Sequence, residues 1–420
     1  APALRSTRVE LVPALKAGSS SATIQRTPLG LNRSLVIFQI AISLLLLIGA
    51  GLLIHSLVNL ENQNLGFSPK HVLLVSINPE LAGYKSKQLP SLYREIVDRI
   101  SALPGVRSAS IGTTSPMSGS TTGADVTIEG QPRHQGEDKT RLIAVGPQYF
   151  ETEGMRIVRG RGISLQDTAA SAPIAVVNQS FARRFLPKES PVGRQFSLGS
   201  TFKAPGIEIV GVVEDAKYAS AGEAADPAFF LSAYQMEFIL SYVNEIEIRT
   251  AGNPAGVTTE VRRAIHGIDS NLPITDVKTL ARQVNDSLGQ QRAISGLTSF
   301  FGILGLVLAC VGLYGIMAYH VARRTNEIGI RMALGAQRGD VLWMVLRQTL
   351  FLIAIGIAIG IPVALAFARL IANQLYGLKP TDPLTIAVAV VVMAGISLLA
   401  GYLPARRATK VDPMTALRCE

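Results

Sequence analysis

The chain has 420 residues, of which 48% are hydrophobic and only 17% charged, and it carries a formal net charge of +10. That balance excludes an ordinary soluble enzyme, all the more because the apolar residues are concentrated in a few stretches. Two cysteines, Cys310 and Cys419, are too few for a disulfide-stapled secreted domain.

The N-terminal arm, 1–33, opens with Pro2 to Lys16, PALRSTRVELVPALK, which returns at the other end as Pro404 to Arg418, PARRATKVDPMTALR. At a constant offset of 402, seven of these positions are identical. Chance gives about one or two, so the two stretches read as a repeat. The arm holds Arg5, Arg8, Lys16, Arg26 and Arg33 against Glu10. It leads into residues 34–60, which contain no Asp, Glu, Lys or Arg. A helix needs about 20 residues to cross the hydrocarbon layer, so this is a first transmembrane helix. Its apolar run is too long for a cleavable signal peptide, and no small-residue cleavage site follows.

Residues 61–292 contain 24 basic and 24 acidic residues and are therefore neutral. VLLVSI (72–77) reads as a strand, and 90–103 as a helix with Leu92, Ile96, Val97, Ile100 and Leu103 on one face. VRSASIG (106–112) reads as a second strand. The plan recurs with the strand IEIRT (246–250), an Asn253-Pro254 cap, a stripe of Val257, Val261, Ala264, Ile265 and Ile268, and ITDV after Leu272-Pro273. Two strand–helix–strand units flanking an insertion predict an α+β domain with a split layer of ferredoxin-like type. One lobe would be about 61–112 with 241–292, and an inserted lobe about 113–240.

The insertion includes IAVVNQSFARRFL, a strand then a helix, and the strand IEIVGVVEDAKY. His55, His71, His134, His266 and His320 show no metal spacing, and no nucleophile elbow occurs. Arg159 and Arg161 in RGRG suit a solvated turn better than an anion site. No phosphate loop GxxxxGK[ST] is present. The expectation is no catalytic residue, no cofactor and no metal; any ATPase activity belongs to a partner.

Three further charge-free stretches follow, 293–322, 348–368 and 383–405. They predict transmembrane helices at 293–322, 348–371 and 383–405, joined by a loop at 323–347 and a connector at 372–382, with a tail at 406–420. Arg323, Arg324, Arg331, Arg338 and Arg347 face only Glu327 and Asp340 in the loop, and the tail adds Arg406, Arg407, Lys410 and Arg418. By the positive-inside rule both termini and this loop are cytoplasmic, so 61–292 lies outside. The basic excess sits beside spans rather than on one domain face, which points to lipid headgroups and not to nucleic acid.

The loop begins with Thr325 as a helix cap and Glu327 in the first turn. Ile328, Met332, Ile330 and Leu334 line apolar faces, Gly335 ends the short helix, and Asp340 caps the next, which runs through Trp343 into the third span. The blander reading is an amphipathic helix lying in the headgroups; the functional one is a lever tied to spans two and three. Within the spans, Gly356 and Gly360, and Gly305, Gly312 and Gly315, permit close helix packing. Gln39 suits a neighbouring helix better than a substrate.

TNEIGIRMALGAQRGDV (325–341) resembles the signature loop of the FtsX-like and MacB-type ABC-transporter permeases, and PARRATKVDPMTALR resembles the end of the same family. VGPQYFETEGMRIVRGRGIS, IAVVNQSFARRFLPKESPVG and EIVGVVEDAKY are similar to stretches of the MacB-type periplasmic core domain. The resemblance implies a permease of the bacterial inner membrane with a large periplasmic domain, driven by a separate ABC ATPase subunit and coupling ATP hydrolysis to domain movement for export or efflux. The coupling loop would be Thr325, Glu327, Ile328, Gly329, Arg331, Leu334 and Gly335. It also implies pairing with a second permease half or as a homodimer, and a possible periplasmic partner. The repeat resembles the junction inside duplicated permeases, which would make this chain a second half. The alternative is an FtsX-like scaffold that regulates an extracytoplasmic hydrolase.

Overall fold

A computed structural model of the chain describes residues 29–119, 122–130, 139–199, 201–222, 224–324, 327, 330, 331, 337–370 and 381–408. Their contacts group into two units, a helical one drawn from residues before 53 and after 297, and an α+β one drawn mainly from 53–297. The first copy of the terminal repeat, and the second copy from 409 onward, lie outside the described residues.

The first long helix, α1 (Leu29–Glu61), encloses the charge-free stretch 34–60. The outer domain then opens with β1 (Val72–Ile77), α2 (Leu89–Ser101) and β2 (Val106–Gly112). Pro90 stands in the first turn of α2, where its missing N–H is no loss. Leu89, Leu92, Tyr93, Ile96 and Ile100 follow at helical spacing and are all buried. The chain continues through β3 (Gly123–Ile128), β4 (Lys139–Val145), α3 (Tyr149–Glu153), β5 (Ile157–Gly160), β6 (Ile174–Asn178), α4 (Gln179–Phe185), β7 (Gln195–Leu198), β8 (Ile207–Val213) and β9 (Ala228–Ser232). It closes with α5 (Glu237–Leu240), β10 (Glu245–Thr250), α6 (Thr258–His266), β11 (Ile274–Thr279) and α7 (Leu280–Ser287). Three long helices end the described chain: α8 (Gly289–Arg323), α9 (Arg338–Leu370) and α10 (Pro383–Ala408).

The two strand–helix–strand units meet in one antiparallel layer of order β11-β1-β10-β2. Leu73 pairs with Ile248 and Val75 with Ile246, so the same face of both strands turns to α2 and α6. Asn253 caps the turn before α6 by accepting from the Ala255 N–H at 3.0 Å, and Val261 and Ile265 are fully buried.

The intervening strands do something the sequence pattern does not announce. β4 pairs with β3, β3 with β7, β7 with β8, β8 with β6, β6 with β9, and β9 returns to β4 in parallel. The pairing closes on itself and leaves these six strands few free edges. β5 extends β8, and Gly112↔Val145 joins the ring to β2. Gly160 enters β5's closing turn at φ +68, and a Cβ there would stand 2.2 Å from the Val210 carbonyl oxygen, so only glycine fits.

Alternate residues of the ring pack round α4. Phe181 lies 4.7 Å from Phe185, 5.7 Å from Phe196 and 6.4 Å from Phe229 between ring centroids. Asn178 sets the position of α4. Its Oδ1 accepts from Phe181 N at 2.8 Å and Ala228 N at 2.9 Å, and its Nδ2 donates to the Asp226 carbonyl at 2.7 Å. One buried amide thus caps the helix and pins it to β9.

Candidate functional site

All four long helices have the length and apolar content to cross a membrane. α1 is the one most enclosed by the others, with Ile40, Leu44, Ile48 and Leu52 buried at four-residue spacing. Missing side chains let its neighbours approach. A Cβ on Gly356 of α9 would stand 2.5 Å from Ile40 Cγ2, and one on Gly360 would stand 3.0 Å from Leu44 Cδ2 and 3.2 Å from Ala41 Cα. On α8, Gly305 faces Ser43, whose hydroxyl donates to the Gly305 carbonyl at 2.8 Å. Gly312 faces Gln39, whose Oε1 would be 2.6 Å from an added Cβ. Gln39 therefore lies against a neighbouring helix. Gly315 corrects the expectation for α8: among the described residues nothing lies within 4 Å of an added Cβ. At 3.6 residues per turn it is rotated about 80° from Gly305, off the stripe that meets α1.

Of the seven coupling-loop residues, the structure describes Glu327 and Arg331; Thr325, Ile328, Gly329, Leu334 and Gly335, like Met332, lie outside the described residues. Glu327, Ile330 and Arg331 are helical. Arg331 Nη2 donates to Glu327 Oε1 at 2.7 Å, the i,i+4 geometry that their spacing allows, and Arg324 Nε stands 3.9 Å from Glu327 Oε2. Both arginines are half exposed, so these pairs align the segment more than they stabilise it. Arg331 Nη1 also rests 3.1 Å from Met344 Sδ of α9.

Beneath them the last turns of α8 and the first turns of α9 are packed: Val341 is buried, with Val321 and Met344 against it. Asp340 lies in the first turn of α9, two residues inside rather than before it. Its carboxylate accepts from the Gln337 N–H at 3.2 Å, so Gln337 takes the cap position and Asp340 reaches back to it. The end of α10 is tied to α8, since Arg407 Nη1 donates to Tyr314 Oη at 2.8 Å. Sequence reasoning missed Arg324 and Met344 as partners of the loop; the Arg324–Glu327 spacing carried a signal, and Met344 carried none.

In the outer domain the RGRG stretch is the end of a strand and the turn after it. Arg161 grips Asp167 with two bonds, Nη1 to Oδ2 at 2.7 Å and Nη2 to Oδ1 at 2.8 Å, and Ser164 donates to the same carboxylate through its N–H and hydroxyl. Burial pushes the Asp167 carboxyl up, but the bonds from Arg161 and Ser164 outweigh it and hold it below the ordinary carboxylate range. Arg161 is thereby committed to a structural partner. Among the described residues, no group of His, Cys, Asp and Glu is arranged to hold a metal ion.

Comparison with known proteins agrees with this layout. The family described as FtsX-like permease C-terminal matches residues 299–413, and the MacB-like periplasmic core domain matches residues 34–268. The chain is 27% identical over 299 residues to the macrolide export ATP-binding/permease protein MacB of Mannheimia succiniciproducens, covering 68% of this chain and 44% of that one. It is 30% identical over 292 residues to the protein of the same name from Agrobacterium fabrum, covering 66% and 43%. The chain thus spans less than half the length of these curated relatives. Among solved structures, the periplasmic region of MacB from Actinobacillus actinomycetemcomitans is 12% identical with a TM-score of 0.36, covering 53% of this chain and 95% of that one.

Proposed function

The chain belongs to the family of membrane permeases that join an FtsX-like C-terminal region to a MacB-like periplasmic core domain, and from that premise we propose that it transmits force for an ATP-driven exporter. On this reading an ATPase presses on the 325–335 segment, α8 and α9 carry the push through the bilayer, and the periplasmic domain moves to expel a substrate. The observation that carries it is the handle itself. Glu327, Arg324 and Arg331 form one charged cluster, seated directly on the packed junction of α8 and α9. A push there acts on both helices at once.

The ATPase is either a separate subunit or another part of a longer polypeptide, as the relatives' printed name, ATP-binding/permease protein, illustrates. Both termini and the handle face the cytoplasm by the arginine distribution. The functional unit contains two permease halves, either a homodimer or a duplicated chain. The layer β11-β1-β10-β2 and the closed ring act as two lobes of the periplasmic domain. Macrolides, named for the relatives, are the first substrate class to test. Because those relatives are named for export, transport is preferred over regulation of a hydrolase.

Pull-down in mild detergent identifies the ATPase, and the complex is then reconstituted in nanodiscs. Glu327→Ala is expected to leave ATP hydrolysis and thermal stability near wild type while abolishing the ATP-driven change in distance between spin labels on the periplasmic domains. A variant that moves like wild type overturns the lever.

A further inference from the structure

Two carboxyl groups in the outer domain are cut off from the surface. Glu247, in the middle of β10, and Glu153, at the end of α3, are both 0% exposed, and among the described residues none of their four oxygens has a hydrogen-bond partner. The chain makes room for them. A Cβ on Gly112 of β2 would stand 2.7 Å from Glu247 Oε1 and 3.3 Å from the Tyr149 ring, so glycine there vacates the space the carboxyl fills. Ser110, directly opposite Glu247 in the β2–β10 register, is buried as well, and its hydroxyl has no partner among the described residues.

Apart from the Ser110 hydroxyl, the donors around the two carboxyls are engaged elsewhere. The Tyr149 and Tyr218 hydroxyls are 3.0 Å apart and bonded to each other. Arg249, on the same strand, favours an ionised Glu153 by its charge. Its N–H groups nevertheless go to backbone carbonyls, Nε to Thr152 at 2.7 Å, Nη1 to Lys70 at 3.3 Å and Nη2 to Ser68 at 3.2 Å. Arg107 and Glu151 act on that guanidinium in opposite directions. Arg141 of β4 sits beyond Tyr218, 5.9 Å from its ring. On the other side Glu245 adds a third acid, bonded to Ser115 and influenced by Lys278 and Asp276.

An ionised carboxylate only accepts hydrogen bonds, and burying one without donors is far costlier than burying the neutral acid. Burial is the main cause pushing both groups upward: for Glu153, Arg249 opposes it and Glu245 adds to it, and for Glu247, Glu153 and Glu245 add to it. A protonated carboxyl carries no charge to solvate and can itself donate a hydrogen bond.

We propose that Glu153 and Glu247 form a proton-binding site in the core of the outer domain, one that keeps α3 docked on β10 while occupied and loosens that contact when the protons pass to solvent. The sign follows from linkage. The folded domain holds protons that the unfolded chain has already released, so stability is complete below the ordinary carboxylate range and falls as pH rises through the folded values. The periplasmic domain would then be tightest in acid surroundings and most easily rearranged in alkaline ones.

The full chain in nanodiscs is titrated by infrared spectroscopy and by thermal unfolding. The expected result is a protonated-carboxyl band that persists at neutral pH and disappears on the alkaline side, together with a Tm that declines from the ordinary carboxylate range upward and levels off once the band is lost. Glu153→Gln and Glu247→Gln should each remove part of the band and flatten the decline in Tm. If the wild-type protein shows no protonated carboxyl at neutral pH, or if the band survives both substitutions, the site does not exist. The wild-type titration decides even if a variant fails to fold.

Discussion

Where Gly356 and Gly360 let α9 lie against Ile40 and Leu44, side chains have been removed to bring elements together; where Phe181, Phe196 and Phe229 meet inside the ring, the largest ones have been put in. The difference follows from the solvent each region faces. Among apolar helices in lipid the hydrophobic effect does not distinguish one face from another, so close approach at small residues selects the partner. In water the outer domain gains from every aromatic ring it buries, and buried polar groups such as Asn178 then fix how the elements meet.

Breaking the aromatic side of this comparison should have the largest effect. Phe229→Ala removes a fully buried ring and is expected to cost about 3–5 kcal/mol in unfolding of the full chain; a loss under about 1 kcal/mol would mean that the ring core is not packed as described. The glycine side comes next. Gly356→Leu forces a side chain into Ile40 and should destabilise by about 1–3 kcal/mol in detergent, whereas Gly315→Leu, into open space, should stay within about 0.5 kcal/mol. Equal effects would show that the face of α8 and α9 toward α1 has been misplaced. Asn178→Ala should cost about 1–3 kcal/mol, because two buried N–H groups lose their acceptor at once. Unfolding curves resolve this loss.

The smallest effect sharpens the comparison by pH. Asp167 is held below its ordinary value, so its contribution is present above that value and is lost as pH falls through the folded one. Arg161 is half exposed and solvent screens it. Unfolding midpoints measured down the acid side should therefore show Asp167→Asn losing a small pH dependence that wild type retains. This is opposite in sign to the dependence assigned to Glu153 and Glu247.

The four long helices were legible because a charge-free run is a length argument, and α9 extends back to Arg338 because isolated charges on one turn do not end a helix. The layer β11-β1-β10-β2 was legible because each strand has a helix of clear periodicity beside it. The ring was not. Its parallel β4–β9 pair joins residues 87 positions apart, as in Arg141 and Ala228, and AFFLS of β9, buried on both faces, shows no alternation to read. The alternation in EIEIRT suits a strand with one wet face, and nothing in it reveals that α3 and its neighbours cover Glu247. At the handle, the sequence supplied Glu327 and Arg331 but not the sulfur of Met344 beneath them.

Thiol labelling tests the arrangement on which the lever depends. In a background of Cys310→Ser and Cys419→Ser, Glu327→Cys and Glu151→Cys are exposed separately to a membrane-impermeant reagent in spheroplasts. The Glu151→Cys protein should react at once, and the Glu327→Cys protein only after the membrane is permeabilised. Labelling of the Glu327→Cys protein in intact spheroplasts, or protection of the Glu151→Cys protein, would contradict that arrangement.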